Sequence, residues 1–254
     1  MSLLHWIPLE KLHWDYLSRN PNAIPLLEKN PKKIHWHYLS KNPNAIHLLE
    51  KNQDKINWSW LSENPNAIHL LEQNLDKVDW YCLSCNPNAI HILEKNPDKI
   101  QWSSLSCNPN AISLLEQNLD KICWISLSKN PNAIYMLEQT LSSVTSEFSG
   151  SDTSATPPLL QNPNKIYWGY LTENPNAIHL LEKNPEKIFW DGLSKNPNAI
   201  HILEKNPNKI KWIHLSSNPN AIPILEQNLD KLNSHCYQWL SSNPSIFEEW
   251  NGMK

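Results

Sequence analysis

Four of the five cysteines lie near one another in the sequence, and thiols so spaced can bind zinc or exchange disulfides. Cys82 and Cys85 form a CxxC motif, and Cys107 and Cys123 follow. Unrelated residues fill the equivalent positions elsewhere in the chain, which argues against a built site. Cys85 and Cys107 should also stand one helix spacing apart, which is too far for a disulfide. We predict no metal centre and no redox pair. The alternative is a metal ion bound by the four thiols.

Five histidines occupy one position of a repeating pattern and form a histidine column: His47, His69, His91, His179 and His201. Neighbours in this column should be one helix spacing apart, whereas zinc needs ligand atoms near 2 Å from one ion. Pro25, Ser113, Tyr135 and Pro223 fill the same position, so histidine is not required there. We therefore predict no metal site. We expect an exposed, variable column that either contacts a partner or is solvated.

Two charged columns recur in the same pattern. The glutamate column comprises Glu28, Glu50, Glu72, Glu94, Glu116, Glu138, Glu182, Glu204 and Glu226. The lysine column comprises Lys33, Lys55, Lys77, Lys99, Lys121, Lys165, Lys187, Lys209 and Lys231. A lysine ladder could follow a phosphate backbone. However, a glutamate lies five residues before every lysine of the column except Lys165, and the formal net charge is −3, so a charge ladder between repeats is the preferred interpretation.

Motifs typical of catalysis are absent from the sequence. Only four glycines are present, so no glycine-rich phosphate loop can be built, and neither HExxH nor GxSxG occurs. A stack of short helices also offers few deep pockets. We predict that the protein is not an enzyme, has no catalytic residues and needs no cofactor.

The elements that carry these columns follow from the period of the sequence. Tryptophan recurs every 22 residues from Trp14 to Trp124 and again from Trp168 to Trp212, and NPNAI occurs nine times. Asparagine before proline is typical of a helix N-cap followed by the first helical position. Apolar residues at helical spacing follow, and a second short helix should begin near the tryptophan. These patterns predict an all-α solenoid of right-handed or undetermined hand, with two short helices per 22-residue repeat.

The pattern divides the chain into five segments. We predict an N-terminal cap at 1–13, a first block of repeats at 14–139, a degenerate Ser/Thr-rich repeat or loop at 140–162, a second block at 163–233 and a C-terminal cap at 234–254. Helix should not persist where Pro157 and Pro158 stand in the degenerate segment.

The unit NPNAIxLLExNPDKIxWxxLSxNPNAI covers about residues 9–247 and departs from the pattern at 141–158. It resembles the uncharacterised short tandem repeats of proteins predicted from giant DNA viruses of amoebae. The resemblance implies a viral origin and no active site. No apolar run is long enough to cross a membrane, and the N-terminal residues do not look like a signal peptide. We expect a cytoplasmic protein, in the host cytoplasm if it is viral, that is neither secreted nor bound to a membrane.

Repetition of this kind builds a scaffold, and the leading hypothesis is a surface for protein–protein interaction, with a host protein as one partner class. The alternatives are binding of single-stranded nucleic acid along the lysine column and a structural role in a virion or inclusion. The contact positions should vary between repeats on the constant core, with aromatic residues favoured. The predicted partner-binding residues are Tyr16, Tyr38, Trp60, Tyr81, Tyr170 and His214, together with the histidine column.

Overall fold

The computed structural model describes residues 2–146 and 166–248, and two kinds of short α-helix alternate through them. The A helices begin at or near the tryptophan of each repeat: α1 Trp14–Arg19, α3 Trp36–Ser40, α5 Trp58–Ser62, α7 Trp80–Cys85, α9 Trp102–Leu105, α11 Trp124–Leu127, α13 Trp168–Leu171, α15 Trp190–Lys195, α17 Trp212–Leu215 and α19 Ser234–Ser241. The B helices begin at the isoleucine of NPNAI: α2 Ile24–Lys29, α4 Ile46–Glu50, α6 Ile68–Glu72, α8 Ile90–Lys95, α10 Ile112–Glu116, α12 Ile134–Ser146, α14 Ile178–Lys183, α16 Ile200–Glu204 and α18 Ile222–Glu226. The predicted all-α solenoid with two short helices per repeat is confirmed.

Single turns of 3-10 helix complete the repeats. Some precede a B helix, at Pro21–Ala23, Pro131–Ala133, Pro175–Ala177, Pro197–Ala199 and Pro219–Ala221. Others follow a B helix, at Pro31–Lys33, Gln53–Lys55, Pro97–Lys99, Leu119–Lys121, Pro185–Lys187, Pro207–Lys209 and Leu229–Lys231. Leu9–Lys11 and Pro244–Ile246 lie near the two ends. Strands β1 Ser2–Leu3 and β2 Phe247–Glu248 pair antiparallel, with Ser2 opposite Glu248.

The Asn-Pro pair starts each B-helix turn as the sequence predicts. Asn20 has an extended backbone, and its side-chain oxygen accepts the backbone N–H of Asn22 at 3.0 Å. Pro21 takes the first helical position, where its missing N–H costs nothing. The helix ends at Asn30, because the proline that follows disfavours helical geometry at the residue before it.

The same asparagine side chains also join neighbouring repeats. The Asn42 amide donates to the carbonyl oxygens of Ser18 at 2.9 Å and Asn20 at 2.8 Å in the preceding repeat. The same pair of hydrogen bonds recurs at Asn20, Asn64, Asn108, Asn130, Asn174, Asn218 and Asn243. These side chains are buried, so every polar atom needs a partner and the register between repeats is fixed.

A serine column forms a second link between repeats. The Ser40 hydroxyl donates to the Trp36 carbonyl at 2.9 Å and accepts the Asn57 backbone N–H of the next repeat at 3.0 Å. Equivalent acceptors are Ser18, Ser62, Ser84, Ser106, Ser128, Thr172, Ser194 and Ser241. A hydroxyl of this column thus pairs with a carbonyl of its own A helix and with the backbone N–H that precedes the A helix of the next repeat.

Alanine and leucine columns form the centre of the apolar core. The columns typified by Ala23, Leu27 and Leu39 are fully buried. Trp36 and most other residues of the tryptophan column are only half-buried, and Trp124 is the buried exception. Each half-buried tryptophan therefore has a part that reaches the surface.

The chain divides into two compact units, Met1–Asp79 with Ser194–Lys254, and Trp80–Leu193. In the first unit the two ends of the described chain join in the same way as consecutive repeats. The Asn20 amide donates to the carbonyls of Ser241 and Asn243, and the His13 N–H donates to the Ser241 hydroxyl at 2.8 Å. The boundaries predicted for caps at 1–13 and 234–254 stay predictions.

In the second unit the repeats on either side of the degenerate segment are direct neighbours. Asn174 donates to Ser128 and Asn130 at 3.2 and 2.9 Å, and the Tyr167 N–H donates to the Ser128 hydroxyl at 3.0 Å. Residues 140–146 continue α12 because Thr140 stands where other repeats place the asparagine that ends the helix. The remainder of the predicted 140–162 segment, including Pro157 and Pro158, lies outside the described residues.

Candidate partner-binding surface

An aromatic strip crosses four repeats of the first unit, at the position two residues after the repeat tryptophan or, in the last repeat, two residues after Tyr237. It consists of Trp239, Tyr16, Tyr38 and Trp60. Their ring centroids follow one another at 5.9, 5.6 and 4.9 Å. The helices that carry them pack side by side, α19 on α1, α1 on α3 and α3 on α5. Three predicted contact residues are therefore brought together, and Trp239 extends the strip across the joined ends.

The spacing of the strip is set by the buried links beneath it. The asparagine and serine side chains hold each A helix at one offset from its neighbour, so the side chains at one repeat position must stand in a row. Two of the three ring pairs, Trp239 with Tyr16 and Tyr38 with Trp60, meet nearly edge to face at 70° and 78°. This is a favoured geometry worth about 0.5–1.5 kcal/mol per pair. All four rings are half-buried, so a preorganised apolar strip with polar tips remains in contact with solvent.

His214 occupies the position before Trp239 in the same row. Its helix α17 packs on α19, and the side chain is half-buried. In the second unit the row carries the small residues Cys82, Ser104, Ser126 and Gly192 and one tyrosine, Tyr170. The aromatic strip is therefore a feature of the first unit.

Tyr170 pairs instead with Tyr167, which precedes its tryptophan, at 4.9 Å between centroids. The Tyr167 ring lies close over Gly169, where an added Cβ would stand 2.8 Å from it. Both tyrosines are exposed, as is Phe189 in the next repeat. Tyr81 is the most exposed of the predicted tyrosine and tryptophan contact residues, at 60%. These side chains give the second unit several exposed aromatic groups, which do not form one continuous row.

An open recess lies beside the aromatic strip in the first unit. It is lined by Ile34, His35, Trp36, His37 and residues 54–57. The His35 ring lies 4.9 Å from Tyr38 and 5.8 Å from His37. In the part of the chain that the structure describes, no group of three or more His, Cys, Asp and Glu side chains could hold a metal ion. The groups that the recess offers to a ligand are the imidazole rings of His35 and His37 and the indole ring of Trp36.

The histidine column pairs with the glutamate column of the preceding repeat. His47 lies 3.0 Å from Glu28, His69 lies 2.9 Å from Glu50, and His179 lies 2.7 Å from Glu138. His91 and His201 share the column and are exposed. Tyr135 replaces histidine in one repeat and donates its hydroxyl to Glu116. Partial burial, then this hydrogen bond and then the carboxylate charge raise the pKa of Tyr135 to about 12.

The lysine column lies over the tryptophan of the preceding repeat. The ammonium groups of Lys55, Lys77 and Lys121 stand 4.5, 4.7 and 4.5 Å from the indole centroids of Trp36, Trp58 and Trp102. Such cation–π contacts contribute about 0.5–1 kcal/mol at exposed sites. In these repeats the glutamates pair with histidine or tyrosine and the lysines contact indole faces, whereas Lys99 and Lys231 form ion pairs with the adjacent Asp98 and Asp230.

The structure corrects one prediction about the cysteines. The sulfur atoms of Cys85 and Cys107 lie 3.7 Å apart, whereas the spacing of helix axes predicted that they would be too distant to react. That argument ignored the reach of the side chains toward each other. Cys123 accepts a hydrogen bond from the Ser126 hydroxyl at 3.5 Å, and Cys82 is half-buried on α7.

No family model, curated protein or solved structure matches this chain. The resemblance to repeats of giant viruses thus stays a prediction. Among the residues that the structure describes, no helix has both the length and the apolar character needed to span a bilayer.

Proposed function

We propose that the protein is a non-enzymatic repeat scaffold that binds a protein partner through the aromatic strip. The observation that carries the proposal is the row Trp239, Tyr16, Tyr38 and Trp60, which is ordered by buried polar links and left half-exposed. Rigid tyrosine and tryptophan side chains dominate binding energy at protein interfaces because they bury a large area at little entropic cost. The partner segment should therefore present apolar side chains and backbone groups that pair with the hydroxyl and indole N–H tips.

The histidine column plays a supporting part in this proposal. Because His47, His69 and His179 already pair with glutamates of the neighbouring repeat, their rings serve first to link repeats. The proposed contact surface is accordingly centred on the aromatic strip and the adjoining recess with His35 and His37. The cytoplasm, or the host cytoplasm if the viral resemblance holds, is the proposed location.

Binding of single-stranded nucleic acid is the rival function. The lysines would have to leave indole faces, or bind phosphate from above them, to follow a nucleic-acid backbone. The chain also carries a formal net charge of −3, which gives no general attraction to a polyanion.

The experiment compares capture of partners from a lysate of the native cell by three forms of the protein, with and without nuclease. The test variant is Tyr16→Ser with Tyr38→Ser and Trp60→Ser. Serine is the natural residue of this row at Ser104 and Ser126, so the variant should fold. The control variant removes two exposed leucines elsewhere in the first unit, Leu75→Ala and Leu229→Ala.

We expect a protein set that survives nuclease, is retained by the leucine control and falls on the order of tenfold with the serine variant. Equal capture by all three forms would overturn the assignment of the strip. Capture that disappears with nuclease would favour the nucleic-acid function instead.

A further inference from the structure

The residue immediately before each buried asparagine forms a pairing column, in which side chains of neighbouring repeats reach each other. Lys41 and Glu63 form an ion pair at 2.7 Å, and Lys129 and Glu173 form another at 3.3 Å. Between these pairs in the sequence, the column carries Cys85 and Cys107. The two thiols thus occupy a place where the fold brings opposite charges into contact.

The geometry around the two thiols is close to that of a bond. Their sulfur atoms lie 3.7 Å apart and must come roughly 1.6 Å nearer to reach the length of a disulfide. Both sulfurs also approach one carbonyl oxygen, that of Ser104, at 3.7 Å from Cys85 and 3.1 Å from Cys107. Helix α7, which ends at Cys85, and helix α9, which ends at Leu105 two residues before Cys107, pack directly on each other. The two thiols therefore already face each other across the contact between neighbouring repeats.

We infer that Cys85 and Cys107 form a thiol–disulfide exchange site, which links two neighbouring repeats of the second unit when a small-molecule disulfide such as oxidised glutathione is present. The Cys85 thiolate attacks one sulfur of the oxidant, giving a mixed disulfide and one released thiolate. The Cys107 thiolate then attacks the Cys85 sulfur and displaces the second thiolate. The two protons of the protein thiols pass to the two released thiolates to give two thiols, and the two electrons reduce the oxidant.

The CxxC motif suggests a different product, a bond between Cys82 and Cys85 in one helix. The structure favours the inter-repeat bond because Cys85 Sγ contacts Cys107 Sγ and because this column already joins neighbouring repeats elsewhere. A bond across 22 residues also restricts the unfolded chain much more than a bond across three. The site lies in the second unit, so its failure would leave the proposed function of the aromatic strip untouched.

The experiment treats the reduced full chain with oxidised glutathione, blocks remaining thiols, digests with trypsin without reduction and identifies linked peptides by mass spectrometry. Lys95 and Lys99 lie between the two cysteines, so the cross-link joins two separate peptides. We expect two thiols per chain to disappear in favour of a Cys85–Cys107 cross-link. The melting midpoint should rise by roughly 5–10 °C and return after treatment with dithiothreitol.

Single serine variants provide the controls. Serine is the natural residue of the pairing column at Ser217 and Ser242, so Cys85→Ser and Cys107→Ser should fold, lose the cross-link and lose the thermal shift. Cys82→Ser and Cys123→Ser should keep both. A Cys82–Cys85 bond, glutathione retained on both thiols, or an equal thermal shift in Cys107→Ser would overturn the inference.

Discussion

The side-chain amide of Asn20 donates a 2.8 Å hydrogen bond to the carbonyl oxygen of Asn243, a residue 223 positions later in the chain. Asn42 makes the equivalent 2.8 Å bond to Asn20 in the repeat before it. In the first unit the contact between the chain ends therefore has the same chemistry as a contact between consecutive repeats. The end segments of the described residues are part of the packed array, and the stability of this unit should depend on their contact.

Replacing Asn20 tests whether this joint, the contact of Asn20 with Ser241 and Asn243, contributes to the stability of the first unit. Asn20→Ala removes a helix cap and leaves the buried carbonyls of Ser241 and Asn243 without their donor. The cost should be about 2–4 kcal/mol of unfolding free energy, measured by urea titration of tryptophan fluorescence. Asn42→Ala is the matched control, because it removes the same cap and the same two bonds between consecutive repeats. The losses should agree; a much smaller loss for Asn20→Ala would mean that the ends separate in solution.

A circular permutant tests the same joint covalently. Because Ser2 pairs with Glu248, residue 254 can be joined to residue 1. New ends can be opened in the predicted Ser/Thr-rich segment, between residues 154 and 155. We expect a folded protein whose unfolding free energy lies within about 1 kcal/mol of the parent, since the contacts are kept. A permutant opened inside α3, between Trp36 and His37, should be clearly less stable. Similar urea midpoints for the two permutants would contradict the placement of the joint.

The repeat itself was predictable from the sequence because its signals are local. The Asn-Pro start, the apolar spacing of Ala23 and Leu27 and the position of Trp36 act within one unit. Tyr16, Tyr38 and Trp60 could be picked out because aromatic residues varied on a constant background. Trp239 was missed because its repeat restarts three residues late. Once this shift is allowed for, the sequence places Trp239 in the same row.

Other features depend on the offset between neighbouring repeats, which a single repeat does not reveal. Ser40 resembles an ordinary small polar residue until the Asn57 N–H is seen to point at its hydroxyl. The contact between Cys85 and Cys107 depends on how far side chains reach, and an argument from helix axes missed it. The joint between Asn20 and Asn243 likewise depends on three-dimensional position, because 223 residues separate the partners.

The pKa of Tyr135 should lie well above the ordinary tyrosine value of 10.0. Its folded pKa is raised from 10.0 to about 12, so folding favours the protonated phenol. This contribution to stability is complete below pH 10, falls as the unfolded chain loses the proton first, and is gone above about pH 12. Titration of tyrosinate absorbance should show one late component that Tyr135→Phe removes. Glu116→Gln should lower this pKa but keep it above 10.0, because burial is the largest cause. An unchanged curve for Tyr135→Phe would refute the assignment.

Deleting Thr140–Gln161 should give a continuous array. These 22 residues span one period, and their removal places Asn162 directly after Gln139 to read LEQNPNKIYW, like the LEKNPNKIKW that ends at Trp212. Asn130 and Asn174 already bond as neighbours, and the Asn162 amide can replace the Thr140 hydroxyl, which bonds to the carbonyl four residues earlier as Asn206 does. A shorter connection costs less entropy to close, so we expect a gain of about 1–2 kcal/mol in unfolding free energy, measured by urea titration.

Deleting residues 42–63 is the control. It also removes one period but takes out a packed repeat, so it should destabilise the protein in the same urea titration. If both deletions lowered the urea midpoint equally, the degenerate segment would have to contribute contacts like those of an ordinary repeat.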